Sequence, residues 1–558
     1  MTSKVVNRRI RLLFVLLALA LAGSLARAVW LQGVMAQPLS SLAAKQQRQT
    51  LELPARRGTI FDRNGVPLAL GEQATTVYAD PTQIRNARLV ALAAEKALGL
   101  DAETIFPQLT DTSSAFVYLK RKADSAKAEL LRKRKLPGVG FYTEERRRYP
   151  QGAVGAQVLG FAGQDNQGLA GIELQLDDVL RGRPGRETVI RDPFGRVVDV
   201  LSETAERQGR DVFLTLDHRI QAKAEDVLRS TVRQWGAKSA TAVVLDPSSG
   251  EIYAMATAPT FDANRFAEAS PDTQRNRTAS DTYEPGSTFK LIPVAGALSE
   301  GLVTPHSAFT LPTSIQVADR VIHEHEPRPT VRMTVADIVA QSSNVGAITL
   351  AQKLGSKRLS SWVDRFGFGS KTGLDFPGET SGIVPPLERW SGSTIGTLPI
   401  GHGIAVTPVQ MAAAYAAVAN DGVWLQPHLV EHVGGRASAH VDRRRILRHD
   451  VASQLATMLT GVVAEGGTGL AAAVPGYHVA GKTGTAAKPL PDGSGYSTSR
   501  YVASFVGFVP ATRPRLVILV TVDEPSTIWG GVVAAPAFQA LAQFALQYLE
   551  VPPDNPDN

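Results

Sequence analysis

The sequence predicts an α+β fold: one antiparallel sheet with helices on both faces, and a helical subdomain inserted between its strands. Three observations predict it. Ile220, Ala224, Val227, Leu228, Val232 and Trp235 recur at helical spacing. Two strand-like runs follow, 240–245 and 251–257, joined by the turn Asp246-Pro247-Ser248-Ser249-Gly250. Two further strands, 501–509 and 515–522, and a last helix over 537–549 come only at the end, with Pro536 near that helix's first turn. Early and late strands then share one sheet, and terminal helices cover it. The middle, about 280–470, reads as helical, with Ala-rich periods such as 408–419.

Composition fits a globular chain. With 558 residues, more than one domain is expected, at roughly 100–200 residues each. The formal charge of +7 is modest. The runs Arg132-Lys133-Arg134-Lys135, Arg146-Arg147-Arg148 and Arg443-Arg444-Arg445 lie far apart and read as solvated faces. No aromatic-rich basic motif accompanies them, so no nucleic acid is expected as a partner. The chain has no cysteine, which excludes disulfides, cysteine metal sites and thiol nucleophiles.

In chain order, Lys4, Arg8, Arg9 and Arg11 form a basic tail, 1–11, before the apolar run 12–26. Positive residues ahead of such a run stay in the cytoplasm and send the rest across the membrane. Two readings of the run compete. Ala26-Arg27-Ala28 has the form of a signal cleavage site. Against it, apolar character resumes at Ala28-Val29-Trp30-Leu31; with Arg27 snorkelling, the span 12–32 reaches about twenty residues, enough to cross a bilayer. Residues 37–49 read as a polar stalk. Asn64-Gly65 between apolar segments signals a hairpin, because both positions favour positive φ. Helical spacing appears at 89–98 and 124–132. Residues 152–168 are glycine-rich, with extended character at 154–161, and a helix from Gly171 should stop near 181–185. Nothing in this part reads as chemistry, so a structural or partner-binding role is expected. The polar stretch 201–210 is the domain boundary.

The chemistry begins at Tyr283-Glu284-Pro285-Gly286-Ser287-Thr288-Phe289-Lys290. On a helix Ser287 and Lys290 share a face, and a serine hydroxyl becomes a nucleophile when a neutral amine takes its proton. Pro293 should bend or limit that helix. Downstream stand Ser342-Ser343-Asn344 and Gly481-Lys482-Thr483-Gly484-Thr485. Each motif alone is weak; Ser-x-x-Lys, Ser-x-Asn and Lys-Thr-Gly in this order are a strong composite signal.

With these motifs the chain resembles a class B penicillin-binding protein over nearly its whole length, closest to the division-specific transpeptidases. Further matching stretches are Arg57-Gly58, Asp62-Arg63, Asn276-Arg277-Thr278, Gly401-x-Gly403-x-x-Val406-Thr407-Pro408, and Gly530-Gly531 with Ala535-Pro536. The family's Arg at the end of the membrane segment and its Trp-Leu-Gln stand here as Arg27 and Trp30-Leu31-Gln32, which favours a retained anchor. The resemblance implies a penicillin-binding, serine transpeptidase-like domain at 211–550, a mixed N-terminal pedestal, dimerisation-like domain at 36–210, and a flexible tail at 551–558. It implies that Ser287 is acylated by a stem peptide, with Lys290 as base, Ser342 as proton relay and Asn344 holding the peptide and Lys290. Burial and the like charge of Lys482 are expected to lower the Lys290 pKa. Lys482, counted among the catalytic residues, and Thr485 are expected to take the substrate carboxylate, Thr483 and Gly484 to bind substrate beside them, and the backbone N–H groups of Ser287 and Thr485 to form the oxyanion hole. Glu284 and His402 are further substrate-binding candidates. Implied partners are peptidoglycan stem peptides, β-lactams, a lipid-II polymerase in the membrane and other division proteins. No metal or cofactor is expected.

Three stretches mislead. Gly476 to Thr483 spells a P-loop, but the residues before Gly481 read as strand and those after Thr483 are a poor helix start. His323-Glu324-His325 invites a metal but lacks a distant partner, so an exposed loop is expected. Phe289 reads as core. Two departures separate the chain from β-lactamases: Ser343 stands where an Asp is usual, and no Glu-x-x-x-Asn loop serves a deacylating water. No glycosyltransferase region precedes residue 211, against a bifunctional synthase. The expected activity is septal D,D-transpeptidation at the inner membrane; the alternatives are an elongation-type relative, a carboxypeptidase, or a non-catalytic lactam sensor or division scaffold.

Overall fold

The computed structural model describes residues 2–38, 48–191, 197–437, 441–490, 492 and 495–555. Most of the expected stalk, and the end of the expected tail, lie outside the described residues. The chain forms two compact units: Met1–Arg56 with Gly182–Gly209, and Arg57–Arg181 with Arg210–Asn558. Residues 57–181 therefore group with the sheet-bearing part, although the sequence reading divided the chain at 201–210.

In the first unit a helix over Thr2–Val29 continues as a π-turn over Trp30–Val34. The span Val6–Val34 has a mean hydropathy of 2.3 and no buried share, so it is long and apolar enough to cross a membrane. The Arg27 guanidinium lies 5.3 Å from the Trp30 ring centre. The same unit holds a three-stranded antiparallel sheet of Arg48–Leu53, Gly185–Arg191 and Val197–Thr204.

The second unit opens with the hairpin the sequence signals. Ile60–Phe61 pairs with Pro67–Ala79, Gly65 has φ +78°, and the Asp62 carboxylate accepts from the Asn64 and Val66 amides, both at 2.8 Å. Pro67–Ala79 also pairs with Val117–Ala123 and Val139–Arg148. Helices over Ala87–Leu98, Ala102–Thr110 and Ser125–Arg132 close a small core on it around Val90, Leu98, Leu109 and Leu131. The extended run expected at 154–161 is in part a helical turn, Ala156–Leu159. It starts at Gly155 in the left-handed region, whose amide donates to the buried Glu225 carboxylate at 2.8 Å. Beneath lies a buried charge network. The Glu173 carboxylate, fully buried, accepts from Arg57 Nε and Arg147 Nε, both at 2.6 Å, and Arg57 also meets Asp177 at 2.5 Å.

The remainder of this unit is labelled α1 (His218–Trp235), β1 (Ser239–Leu245), β2 (Ile252–Ala258), α2 (Leu291–Ser299), α3 (Asn344–Leu354), α4 (Pro408–Ala419), β3 (Ala480–Pro489), β4 (Tyr496–Val509), β5 (Leu516–Asp523) and α5 (Gly530–Tyr548). The five strands form one antiparallel sheet in the order β2-β1-β5-β4-β3, so the early and late strands join as predicted. The pleat sends alternate residues to opposite cores. Ala240, Ala242, Val244, Ile518 and Val520 pack with α1 and α5, whereas Val243, Leu245, Val517 and Leu519 pack with α2 and α4. β3 is an edge strand, next to the nucleophile turn.

Two expectations need correcting. The last helix starts at Gly530, not near Pro536, which lies inside it. The middle is not wholly helical. Short ribbons interrupt it: Ala308–Leu311 with Val331–Thr334, Ser314–Val317 with Arg320–His323, and Val423–Leu425 with Arg443–Arg445. The Arg443-Arg444-Arg445 run is thus an exposed edge.

Candidate active site

Four segments converge where Ser287 sits. Ser287 lies on a 3₁₀ turn, Gly286–Lys290, that leads directly into α2. The first turn is therefore tighter than the α-helix expected, and Pro293 falls in the first turn of α2, where no intrahelical N–H is lost. Gly286 has φ +55°, and a Cβ there would stand 2.5 Å from the Thr485 carbonyl oxygen, so only glycine lets the turn meet β3. From below, the Tyr415 hydroxyl on α4 donates to the Thr288 carbonyl at 2.9 Å. Phe289 is fully buried against Phe368, ring centres 5.2 Å apart, as expected of a core residue.

The second motif meets the first through Lys290. Its Nζ lies 2.5 Å from the Ser342 carbonyl oxygen, 2.7 Å from Asn344 Oδ1 and 3.2 Å from Ser342 Oγ. Ser342 is held with φ +59°, and Ser343 caps α3 by accepting from the Gly346 amide at 2.9 Å. Ser287 Oγ makes no hydrogen bond among the described residues, and it faces a cleft of about 850 Å³ whose walls include Glu324, His325, Thr468, Thr485 and Trp529.

β3 brings the third motif. It runs through Lys482 and on to Pro489, so the P-loop spelling is followed by strand. A Cβ on Gly484 would stand 3.0 Å from the Pro285 carbonyl oxygen, so this glycine too marks a close backbone approach. The Thr483 and Thr468 hydroxyls pair at 2.8 Å, and the Thr485 hydroxyl donates to the Ile528 carbonyl at 3.0 Å. Lys290 and Lys482 are each only 2% exposed. Burial pushes the Lys290 pKa down to about 7, with the Glu324 carboxylate opposing. Burial, then the charge of Lys290, pushes Lys482 well down. Burial thus lowers Lys290 as the sequence suggested, but the like-charge penalty expected on Lys290 falls on Lys482, which burial lowers as well.

Glu284 and His402 join each other beside this centre. The Glu284 carboxylate lies 2.9 Å from His402 Nδ1 and accepts from the Gly403 amide and the Tyr496 hydroxyl, both at 3.0 Å. Glu284 lines a separate cavity of about 520 Å³ together with Gly403, and neither Glu284 nor His402 is among the residues lining the Ser287 cleft.

Sequence reasoning missed Glu324. The His323-Glu324-His325 stretch is exposed at both histidines, but the Glu324 side chain is 5% exposed. It accepts from Ser343 Oγ at 2.5 Å and from the Asn344 amide at 2.7 Å, and pairs with Arg328 at 2.6 Å. It therefore clamps the turn that holds Lys290. The only signal in the sequence was an acid between two histidines.

The chain matches the penicillin-binding protein transpeptidase domain over residues 240–543 and the penicillin-binding protein dimerisation domain over residues 52–214. It is 33% identical to the peptidoglycan D,D-transpeptidase FtsI of Escherichia coli K12, covering 98% of this chain and 93% of the relative. It is 34% identical to the probable peptidoglycan D,D-transpeptidase PenA of Neisseria gonorrhoeae, with 98% and 94% covered. It is 35% identical to the stage V sporulation protein D of Bacillus subtilis, with 98% and 87% covered. The crystal structure of penicillin-binding protein 3 from Mycobacterium tuberculosis complexed with aztreonam matches at a TM-score of 0.72 and 30% identity, covering 91% of this chain and 99% of that one. A transpeptidase domain behind a dimerisation domain, and relatives matched along nearly the full length, carry one conclusion: the chain belongs to the class B penicillin-binding proteins.

Proposed function

We propose that the chain is a peptidoglycan D,D-transpeptidase that works through an acyl-enzyme on Ser287. One observation carries this reading. Lys290, one helical turn from Ser287, is buried, held by Ser342 and Asn344 from more than fifty residues away, and has its pKa lowered to about 7. An amine so placed is neutral often enough to be a general base. As a neutral amine, Lys290 spends its two N–H donors on the Ser342 carbonyl and Asn344 Oδ1, neither of which can donate. Its lone pair is then left for a hydroxyl: that of Ser342, or that of Ser287 as it attacks.

Ser287 Oγ attacks the carbonyl of the penultimate D-Ala of a stem peptide while Lys290 takes its proton. The carbonyl oxygen becomes an oxyanion facing the Ser287 and Thr485 amides, which the Gly286–Thr485 contact brings together. Ser342 passes the proton to the nitrogen of the departing D-Ala. The peptide lies along β3, whose outer edge offers unpaired backbone groups. Its terminal carboxylate reaches Lys482, with the Thr483 and Thr485 hydroxyls and the open backbone at Gly484 around it. That carboxylate supplies the counter-charge the buried Lys482 lacks, so substrate binding raises the Lys482 pKa. Glu284 and His402 hold the turn at 401–403 against Gly286, and from that braced position they are the further substrate-binding residues of this reading. An amine of a second stem peptide completes the cross-link; water in its place gives carboxypeptidase activity. A β-lactam enters the first half-reaction and stays on Ser287.

We assign the chain to the inner membrane by its N-terminal helix, with Lys4 to Arg11 in the cytoplasm and residues beyond about 35 outside it. Residues 36–210 serve as the pedestal and 211–550 as the catalytic domain. Septal work beside a lipid-II polymerase is the favoured setting, checked by midcell placement of a tagged chain. Labelling with a fluorescent penicillin tests the chemistry: the parent is labelled and Ser287→Ala is not. Undiminished labelling of Ser287→Ala removes Ser287 from the mechanism.

A further inference from the structure

The second half of the reaction needs a base of its own. An acceptor amine is an ammonium near neutral pH and has no lone pair for the acyl carbon. Lys290 and Ser342, freed of the first proton once the D-Ala has left, are needed for the proton that must return to Ser287 Oγ. The Ser287 cleft carries one imidazole among its described lining residues, that of His325. Its ring rests against Trp529, ring centres 5.2 Å apart at 57°, and Trp529 is itself a wall of the cleft and the N-cap of α5. No hydrogen bond engages the His325 ring among the described residues, so its nitrogens face no competing partner. The other ionisable groups on this wall suit the task less. Glu324 and Arg328 are tied to each other at 2.6 Å, and Glu326 is a carboxylate, a class of group that pairs with an ammonium as a counter-ion and does not take its proton near neutral pH.

We propose that His325 takes the proton from the ammonium of the acyl acceptor, which makes the His325–Trp529 wall the acceptor side of the cleft. His325 is exposed at the mouth of the cleft, yet the cleft walls strip part of its solvation, and that loss first, then the positive charges of Lys290, His402 and Lys482, push its pKa below its ordinary value, with Glu326 opposing. His325 is therefore neutral and ready to accept at pH 7. The balance closes. The ammonium gives one proton to His325; the freed lone pair forms the C–N bond to the acyl carbon. The Ser287 Oγ–C bond breaks, and the nitrogen's second proton passes through Lys290 and Ser342 to Ser287 Oγ. His325 returns its proton to solvent, which offsets the proton that the departed D-Ala amine takes up there, so the transfer half-reaction releases one proton and the full cross-link none. The inference rests on the acyl-enzyme reading above.

The test separates the two half-reactions on the full chain in detergent. Acylation is followed with a fluorescent penicillin. Transfer is followed with an N-acyl-D-alanyl thioester as donor and a free D-amino acid as acceptor, as the ratio of aminolysis to hydrolysis product. His325→Gln and His325→Ala are expected to acylate within about twofold of the parent, and to lose roughly a hundredfold in aminolysis at pH 7. Near pH 10, where the acceptor loses its own proton, the gap should close, which a merely structural defect would not do. Unchanged aminolysis at pH 7 in both variants, or a deficit equal at pH 7 and pH 10, overturns the role of His325. A parent chain that forms no acyl-enzyme overturns the underlying reading, and the inference with it.

Discussion

The second unit buries charge in two places and handles it in opposite ways. Around Glu173 each charge is answered: one carboxylate lies between two guanidiniums at 2.6 Å, and Asp177 takes a further arm of Arg57. Burial alone would weaken the Arg57 charge, but Glu173 and Asp177 outweigh it and raise its pKa. Around Ser287 two amines are buried with one carboxylate, Glu324, as the nearby opposite charge. Equal burial thus gives a fixed ionic clamp in one region and a titrating base in the other. What separates structural from chemical burial here is compensation, and that distinction rests on partners far apart in the chain.

Exchanging the regions' properties should break this contrast. The largest effect is expected at Lys290. Lys290→Met keeps volume but removes the base, and acylation by penicillin should fall about 10²–10⁴-fold, with a smaller loss of stability than any break in the Glu173 clamp. Stopped-flow labelling and urea unfolding check the two halves. Glu173→Gln should behave in the reverse sense. It leaves buried guanidiniums short of a partner, so unfolding free energy should drop by about 3–5 kcal/mol, while the folded fraction still acylates at the parent rate. A Glu173→Gln chain of parent stability would end the distinction.

Much of the fold was legible because its signals are local. The five strands carry apolar runs and turn residues, and helix α1 its spacing, so sheet and flanking helices followed directly. The three motifs were legible because the chemistry needs fixed residue types in fixed order. The start of α5 was hidden by Gly530 and Gly531, which read as loop but are small because α5 begins against β3 and β4: a Cβ on Gly530 would run into the Ser504 and Gly484 carbonyls. Glu324 was hidden for another reason. It stands eighteen residues before Ser342, and only the ribbon ending at His323 brings it back to Ser343 and Asn344. No spacing rule ties a hairpin tip to a distant turn, so its flanking histidines drew attention to metal instead.

The central claim is that Lys290 works as a buried amine whose proton affinity is set by its surroundings: burial lowers it, and Glu324, on the loop after the ribbon, opposes. The most direct measurement is the pH profile of penicillin acylation for the parent and for Glu324→Gln. Lys290 is the base only when neutral, so the parent rate should rise with pH through about 7. Glu324 holds the proton on Lys290, so its neutral replacement should move that rise to lower pH, by less than the shift that burial itself imposes. A parent rate flat from pH 5 to 9, or a rise that stays in place in Glu324→Gln, would contradict the account.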